Sequence, residues 1–184
     1  GAGVVVGPAH DEREDPDQVI FQRLVDGAWT DVTCAQAAAQ IRSAALGLIA
    51  HGVQAGDRVA LLSATRYEWP IFDFAILSIG AVTVPIYETS APSQIQYILT
   101  DSGATALFVE TGEHFTRFDE VRSEIPEVTH VWQLHLGDID KLSASGTGVS
   151  DADLEKRRSA AVGKDLATLI YTSGSTGQPK GCMI

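Results

Sequence analysis

Positive charge is scarce in this chain: 13 lysines and arginines stand against 24 aspartates and glutamates over 184 residues, giving a formal charge of -11. Such a surface repels phosphodiester backbones unless its few cations cluster. The densest run, Lys156-Arg157-Arg158, reads as a solvated helix face, so nucleic acid is excluded as a partner. Cysteine is nearly absent. Cys34 and Cys182 lie far apart, in no CxxC pair and no metal-ligand spacing, which excludes a disulfide framework and fits a reducing, cytoplasmic setting. Long hydrophobic runs are missing too: the most apolar stretch, 71–79, is broken by Asp73 and falls far short of a bilayer span. That excludes a transmembrane segment and leaves peripheral membrane contact open. Residues 1–10 are apolar but lack a basic region and are too short for a secretory signal. The five histidines are scattered, so neither a metal site nor a catalytic histidine is read from them.

What is present is a hydrophobic content of 45%, enough for one compact domain with a sizeable core. Two strand-like runs, 19–25 and 28–33, are joined by Asp26-Gly27, a dipeptide suited to a two-residue turn, and predict an antiparallel hairpin. Thr33 with Gln36 forms a capping box, after which apolar residues recur at steps of three and four until Gly52. Strands and helices then alternate. Strands are expected over 57–64, 82–87, 105–110, 128–134 and 167–172, and helices over 67–79, 92–101, 113–125 and 151–162, the last capped by Ser150. Residues 137–150, rich in Gly and Ser, read as a surface loop. Apolar strands alternating with helices imply crossover connections, so the fold class is α/β: a largely parallel sheet flanked by helices, with an N-terminal antiparallel hairpin. Trp69, Phe72 and Phe74 read as core aromatics in preference to the wall of a ligand tunnel.

The chemistry concentrates in Tyr171-Thr172-Ser173-Gly174-Ser175-Thr176-Gly177-Gln178-Pro179-Lys180-Gly181, directly after an apolar strand. Four hydroxyls, on Thr172, Ser173, Ser175 and Thr176, can donate hydrogen bonds to phosphate oxygens. Gly174 and Gly177 let backbone amides approach an anion, and Lys180 adds a compact positive charge. A polyphosphate suits this set; a plain Ser/Gly turn between two strands is the bland alternative. The ordinary P-loop, G-x-x-x-x-G-K-[ST] opening a helix, is ruled against. Gln178-Pro179 separates Gly177 from Lys180, no Ser or Thr follows the lysine, and Cys182-Met183-Ile184 looks like the start of a strand.

The segment resembles the phosphate-binding signature of the adenylate-forming (ANL) superfamily of AMP-binding enzymes, [YF]-T-S-G-[ST]-T-G-x-P-K-G, at every fixed position. Upstream, Gly80-Ala81-Val82-Thr83-Val84-Pro85 resembles that superfamily's G-A-x-x-V-P stretch. Its continuation, Tyr87-Glu88-Thr89-Ser90, is most like bacterial long-chain fatty-acid CoA ligases. The resemblance implies that residues 1–184 form the amino-terminal portion of the AMP-binding domain, truncated after the phosphate-binding loop and belonging to the large N-terminal domain of an adenylate-forming enzyme.

It further implies ATP-dependent activation of a carboxylic acid, a medium or long-chain fatty acid, through an acyl-adenylate to an acyl-CoA thioester, with ATP, Mg2+ and CoA as cofactor and co-substrates. By that resemblance Thr172, Ser173, Gly174, Ser175, Thr176, Gly177 and Lys180 hold the phosphates, Lys180 is also catalytic, and Thr172 faces the metal. Adenine and ribose contacts and the late catalytic lysine of such enzymes fall downstream, so the 184-residue chain alone is expected to be inactive. An acyl-AMP ligase, an amino-acid adenylation domain and a non-catalytic nucleotide-binding fragment stay open as alternatives. Tyr87, Glu88 and Thr89, which follow a strand end, serve equally well as site residues or as packing for the next helix.

Overall fold

The structure is a computed structural model, and it describes residues 15–25, 27–172 and 179–184. The chain begins with the hairpin that the sequence predicts: β1 (Val19–Val25) pairs antiparallel with β2 (Ala28–Thr33). Gly27 carries the positive φ of the turn, at 83°, while Asp26 lies outside the described residues. Helix α1 (Cys34–Ala50) opens with the expected box: Thr33 Oγ1 accepts from Gln36 N, and Gln36 Oε1 accepts from Thr33 N. Phe21 and Val32 on one face of the hairpin pack against Ala37 of this helix and against Tyr67 and Ile71.

A four-stranded parallel sheet follows, in the order β4 (Val82–Ile86), β3 (Arg58–Leu62), β5 (Ala104–Val109), β6 (His130–Gln133). Its strands are buried on both faces, which explains their unbroken apolar runs. Val59, Leu61 and Phe108 face α1 and α2 (Glu68–Ser78), where Phe72 stacks on Phe108 with ring centroids 4.3 Å apart. Ala60, Leu62 and Leu107 face α3 (Pro92–Ser102) and α4 (Gly112–Asp119), which contribute Ile95, Leu99 and Phe118. The result is a three-layer α/β/α unit with a core on each side of the sheet.

Four readings of the sequence need correction. Residues 137–150 are not a surface loop: they form α5 (Asp138–Ser145) and a 3-10 turn (Gly146–Gly148), with Leu142 buried against α1. The helix expected over 113–125 stops at Asp119, and a separate 3-10 turn covers Arg122–Glu124. The break falls at Val121, at φ -116° and ψ 2°, and Pro126 separately keeps Ile125 out of the α region, at φ -129° and ψ 63°. Phe74 is not in the core but 51% exposed, on the outer side of α2, and Trp69 is only partly buried. Finally, α6 (Asp151–Ala160), capped by Ser150 as expected, does not leave all of its basic run to solvent. Arg157 donates to Val53 O at 2.6 Å and to Gln54 Oε1 at 3.3 Å, which docks the helix onto the end of α1.

Asp73 is an ionisable group set into this packing. Its Oδ1 is buried without a hydrogen-bond partner among the described residues, as is Thr83 Oγ1 on β4. Burial pushes the Asp73 carboxyl above its ordinary value, and the adjoining Thr83 only partly offsets that. The raised folded-state value fixes the sign of the pH effect. Below the unfolded pKa both states are neutral and ionisation costs nothing. As pH rises through the folded value, the buried group must ionise and stability falls. Asp73→Asn is therefore expected to raise the melting temperature at neutral pH and to leave it unchanged near pH 3, about one unit below the unfolded carboxylate value. Calorimetry across that range checks it; a lower melting temperature at neutral pH would show that ionised Asp73 stabilises the fold.

Candidate functional site

The last described strands carry the sequence-predicted chemistry. β7 (Leu169–Thr172) and β8 (Lys180–Met183) form an antiparallel hairpin with Thr172 directly opposite Lys180. Residues directly opposite in such a ladder point to the same face. The hydroxyl of Thr172 and the ammonium of Lys180 thus share one side of the hairpin root, both exposed, with Thr172 Oγ1 making a weak contact to Cys182 Sγ at 4.0 Å. Residues 173–179 join these two, and of them Ser173, Gly174, Ser175, Thr176, Gly177 and Gln178 lie outside the described residues. The strand expected from Cys182 starts at Lys180 and runs antiparallel to β7, so this part of the chain departs from the parallel pattern.

The hairpin meets the sheet beside β4. Thr83 is bridged in parallel sense to Thr168, and Thr83 N donates to Ala167 O at 3.1 Å. β7 therefore runs in the same direction as β4, and Thr172 emerges at the same carboxyl edge as Tyr87, Glu88 and Thr89. Open α/β sheets bind ligands at that edge. Of the three residues after β4, Tyr87 is 73% exposed and not packed under the next helix.

A polar network that sequence reading missed lines the remaining strand ends. Glu110, after β5, accepts from Ala64 N (2.8 Å), Ser63 Oγ (3.1 Å) and Arg66 Nη1 (3.2 Å), and Arg66 also pairs with Glu68. The Glu68 hydrogen bond and the two carboxylates hold the Arg66 guanidinium even more firmly protonated than usual, against the cost of its burial. Arg117 of α4 donates through Nη1 to Glu88 O (2.8 Å) and Ser90 O (2.9 Å), pinning the turn after β4. His114 is buried beside it, and burial, then the Arg117 charge, lowers its pKa. The available signal was positional: 63–66, 87–90 and 110–117 each follow a strand, so the carboxyl-edge rule applied to every strand finds them. A cleft of about 900 Å³ lined by Arg58, Gly80, Arg157, Leu169 and Met183 opens at the opposite, amino edge and is no part of this site.

With the hairpin of β7 and β8 rooted at the carboxyl edge, similarity to known proteins becomes specific. AMP-binding enzymes match the chain over residues 9–184. The chain belongs to the AMP-binding enzyme family. Among curated members it is 57% identical over 176 residues to the long-chain-fatty-acid-CoA ligase FadD15 of Mycobacterium bovis, covering 94% of this chain and 29% of that protein. This AMP-binding chain thus spans less than a third of the length of such relatives. Two solved family structures superpose with a TM-score of 0.70. One is the N-terminal domain of FACL13 from Mycobacterium tuberculosis, at 26% identity over 94% of this chain and 42% of that one. The other is the anthranilate CoA ligase AuaEII in complex with anthranoyl-AMP, at 25% identity over 84% and 28%. Among the described residues of this AMP-binding chain, no helix is long and apolar enough to cross a membrane.

Proposed function

We propose that residues 1–184 are the amino-terminal portion of the AMP-binding domain of a cytoplasmic, AMP-forming long-chain fatty-acid CoA ligase, and that they hold the polyphosphate of ATP. The observation that carries this reading is the hairpin root: Thr172 and Lys180 share one face at the sheet edge that Tyr87 also follows. The reaction is attack of a fatty carboxylate on the α-phosphorus of ATP, which releases pyrophosphate and leaves an acyl-adenylate. Displacement of AMP by the thiol of CoA follows.

Negative charge gathers on the departing pyrophosphate in the first step. Lys180 stabilises that charge more in the transition state than in bound ATP, and the motif hydroxyls on Thr172, Ser173, Ser175 and Thr176 donate to the same oxygens. Gly174 and Gly177 let the backbone close on them. Thr172 fits a magnesium contact because its hydroxyl is exposed and, among the described residues, makes only the weak Cys182 contact; a bound Mg2+ would supply charge neutralisation for the triphosphate there.

The test uses the full-length protein that contains this chain. Labelled pyrophosphate is expected to exchange into ATP only when a long-chain fatty acid is present, and acyl-CoA is expected to form when CoA is added. Exchange independent of any carboxylate, or dependent on amino acids alone, would overturn the reading.

A further inference from the structure

The β7–β8 hairpin has little backbone pairing with the sheet. Among the described residues its backbone connection is the bridge between Thr83 and Thr168 with the Thr83 N to Ala167 O bond, and all four residues of β8 are exposed. Something else must fix its position. On its inner face Tyr171 is only 4% exposed and donates its phenolic hydrogen to Asp101 Oδ2 at 2.6 Å. Tyr97, also on α3, meets the Tyr171 ring edge-on with centroids 6.3 Å apart. Gly181 lies directly opposite Tyr171, and a Cβ there would stand 3.3 Å from Tyr171 Cζ and 3.0 Å from Leu169 Cδ1, so glycine gives the ring its place.

Asp101 is poorly suited to its helix for any local reason. It sits in the last turn of α3, where the macrodipole disfavours a carboxylate by about 0.3–1 kcal/mol. A tertiary hydrogen bond to a charged acceptor, short and directional, outweighs that. Burial, then the bond to Asp101, raises the Tyr171 pKa, so the phenol stays a donor at any physiological pH.

We propose that the Tyr171–Asp101 hydrogen bond is the tether that sets where the β7–β8 hairpin stands, which makes Asp101 a positioning residue for the nucleotide half-reaction. Asp101 acts through Tyr171, the residue immediately before Thr172. The catalytic side of this inference rests on the ligase reading above; the tether itself does not.

The experiment uses full-length protein with Tyr171→Phe, Asp101→Ala, the double variant and Asp101→Asn, which keeps an acceptor oxygen. Hydrogen exchange is expected to quicken about tenfold at amides of 169–172 and 180–183 in Tyr171→Phe and Asp101→Ala, with β3 and β5 unchanged. The KM for ATP in pyrophosphate exchange is expected to rise about tenfold in the same variants, while thioester formation from preformed acyl-adenylate keeps its kcat. The double variant should be no worse than either single one, and Asp101→Asn should recover part of the loss. Unchanged hairpin exchange in both single variants would overturn the tether, as would losses that multiply in the double variant or an equal fall in both half-reactions. If the wild-type protein shows no carboxylate-dependent exchange, the ligase reading fails, and hydrogen exchange alone still decides for or against the tether.

Discussion

Lys180→Ala in the full-length protein is expected to slow acyl-adenylate formation by about 30- to 1000-fold, the equivalent of ~2–4 kcal/mol for one preorganised charge-stabilising group. Transfer of a preformed acyl-adenylate to CoA should change far less, because only the first half-reaction builds charge on departing pyrophosphate. Position supports the difference. Lys180 is exposed at the hairpin root opposite Thr172 and makes no ion pair among the described residues, so no salt bridge among them is lost with it. Lys180→Arg returns the charge on a broader, planar group and should recover activity only in part. Single-turnover kinetics of each half-reaction measures both variants. Equal losses in the two steps would mean that Lys180 supports the structure generally and has no special part in pyrophosphate departure.

The second large effect is expected at Gly47, in the last turn of α1. An exposed helix-interior glycine replaced by alanine gains roughly 1 kcal/mol of helix stability. Here the opposite sign should win. A Cβ at Gly47 would lie 2.3 Å from Leu142 O and 2.8 Å from Leu142 Cγ, and a Cβ at Gly146 would lie 2.6 Å from Gly47 N. These glycines let α1 and α5 approach backbone to backbone, and a carbonyl cannot swing aside as a side chain can. Overpacking costs about 1–3 kcal/mol where neighbours can shift, and more where they cannot. Gly47→Ala should therefore lose at least ~3 kcal/mol net and lower the melting temperature by roughly 6–12 °C for a chain of this size. Thermal unfolding checks it; an unchanged or higher melting temperature would show that α5 is not held against α1 in this way.

Much of the fold was legible because local chemistry and tertiary packing agree. The bounds of β1 and β2 coincide with the predicted runs, and the caps at Thr33 and Ser150 are where their side chains require them. Helix α5 was illegible for the converse reason. Asp-Ile-Asp-Lys-Leu-Ser-Ala-Ser offers only Ile139 and Leu142 as long apolar groups between two glycines, so local propensity reads as loop. What makes it helical is the α1 surface bared by Gly47, a contact no local window contains. The early end of α4 was not legible: the chain leaves the helical region at Val121, at φ -116° and ψ 2°, while the apolar spacing of Phe118 and Ile125 suggested continuity. At the candidate site, the motif was read from residue types. The network around Glu110 and Arg66 was not, because its members are 44 to 47 residues apart and share only a sheet edge.

Tyr171 and Asp101 are 70 residues apart, so their hydrogen bond closes a long loop whose entropy must be spent before any contact is returned. β3, β4 and β5, by contrast, join through successive short crossovers and can zip in chain order. On a ribosome, α3 and the central strands leave the exit tunnel well before Tyr171 does. The β7–β8 hairpin then docks after the central strands, onto a part of the scaffold already formed. On the proposed function, nucleotide binding waits on that docking, and a nascent chain stalled before Tyr171 is expected to carry the central sheet without the hairpin.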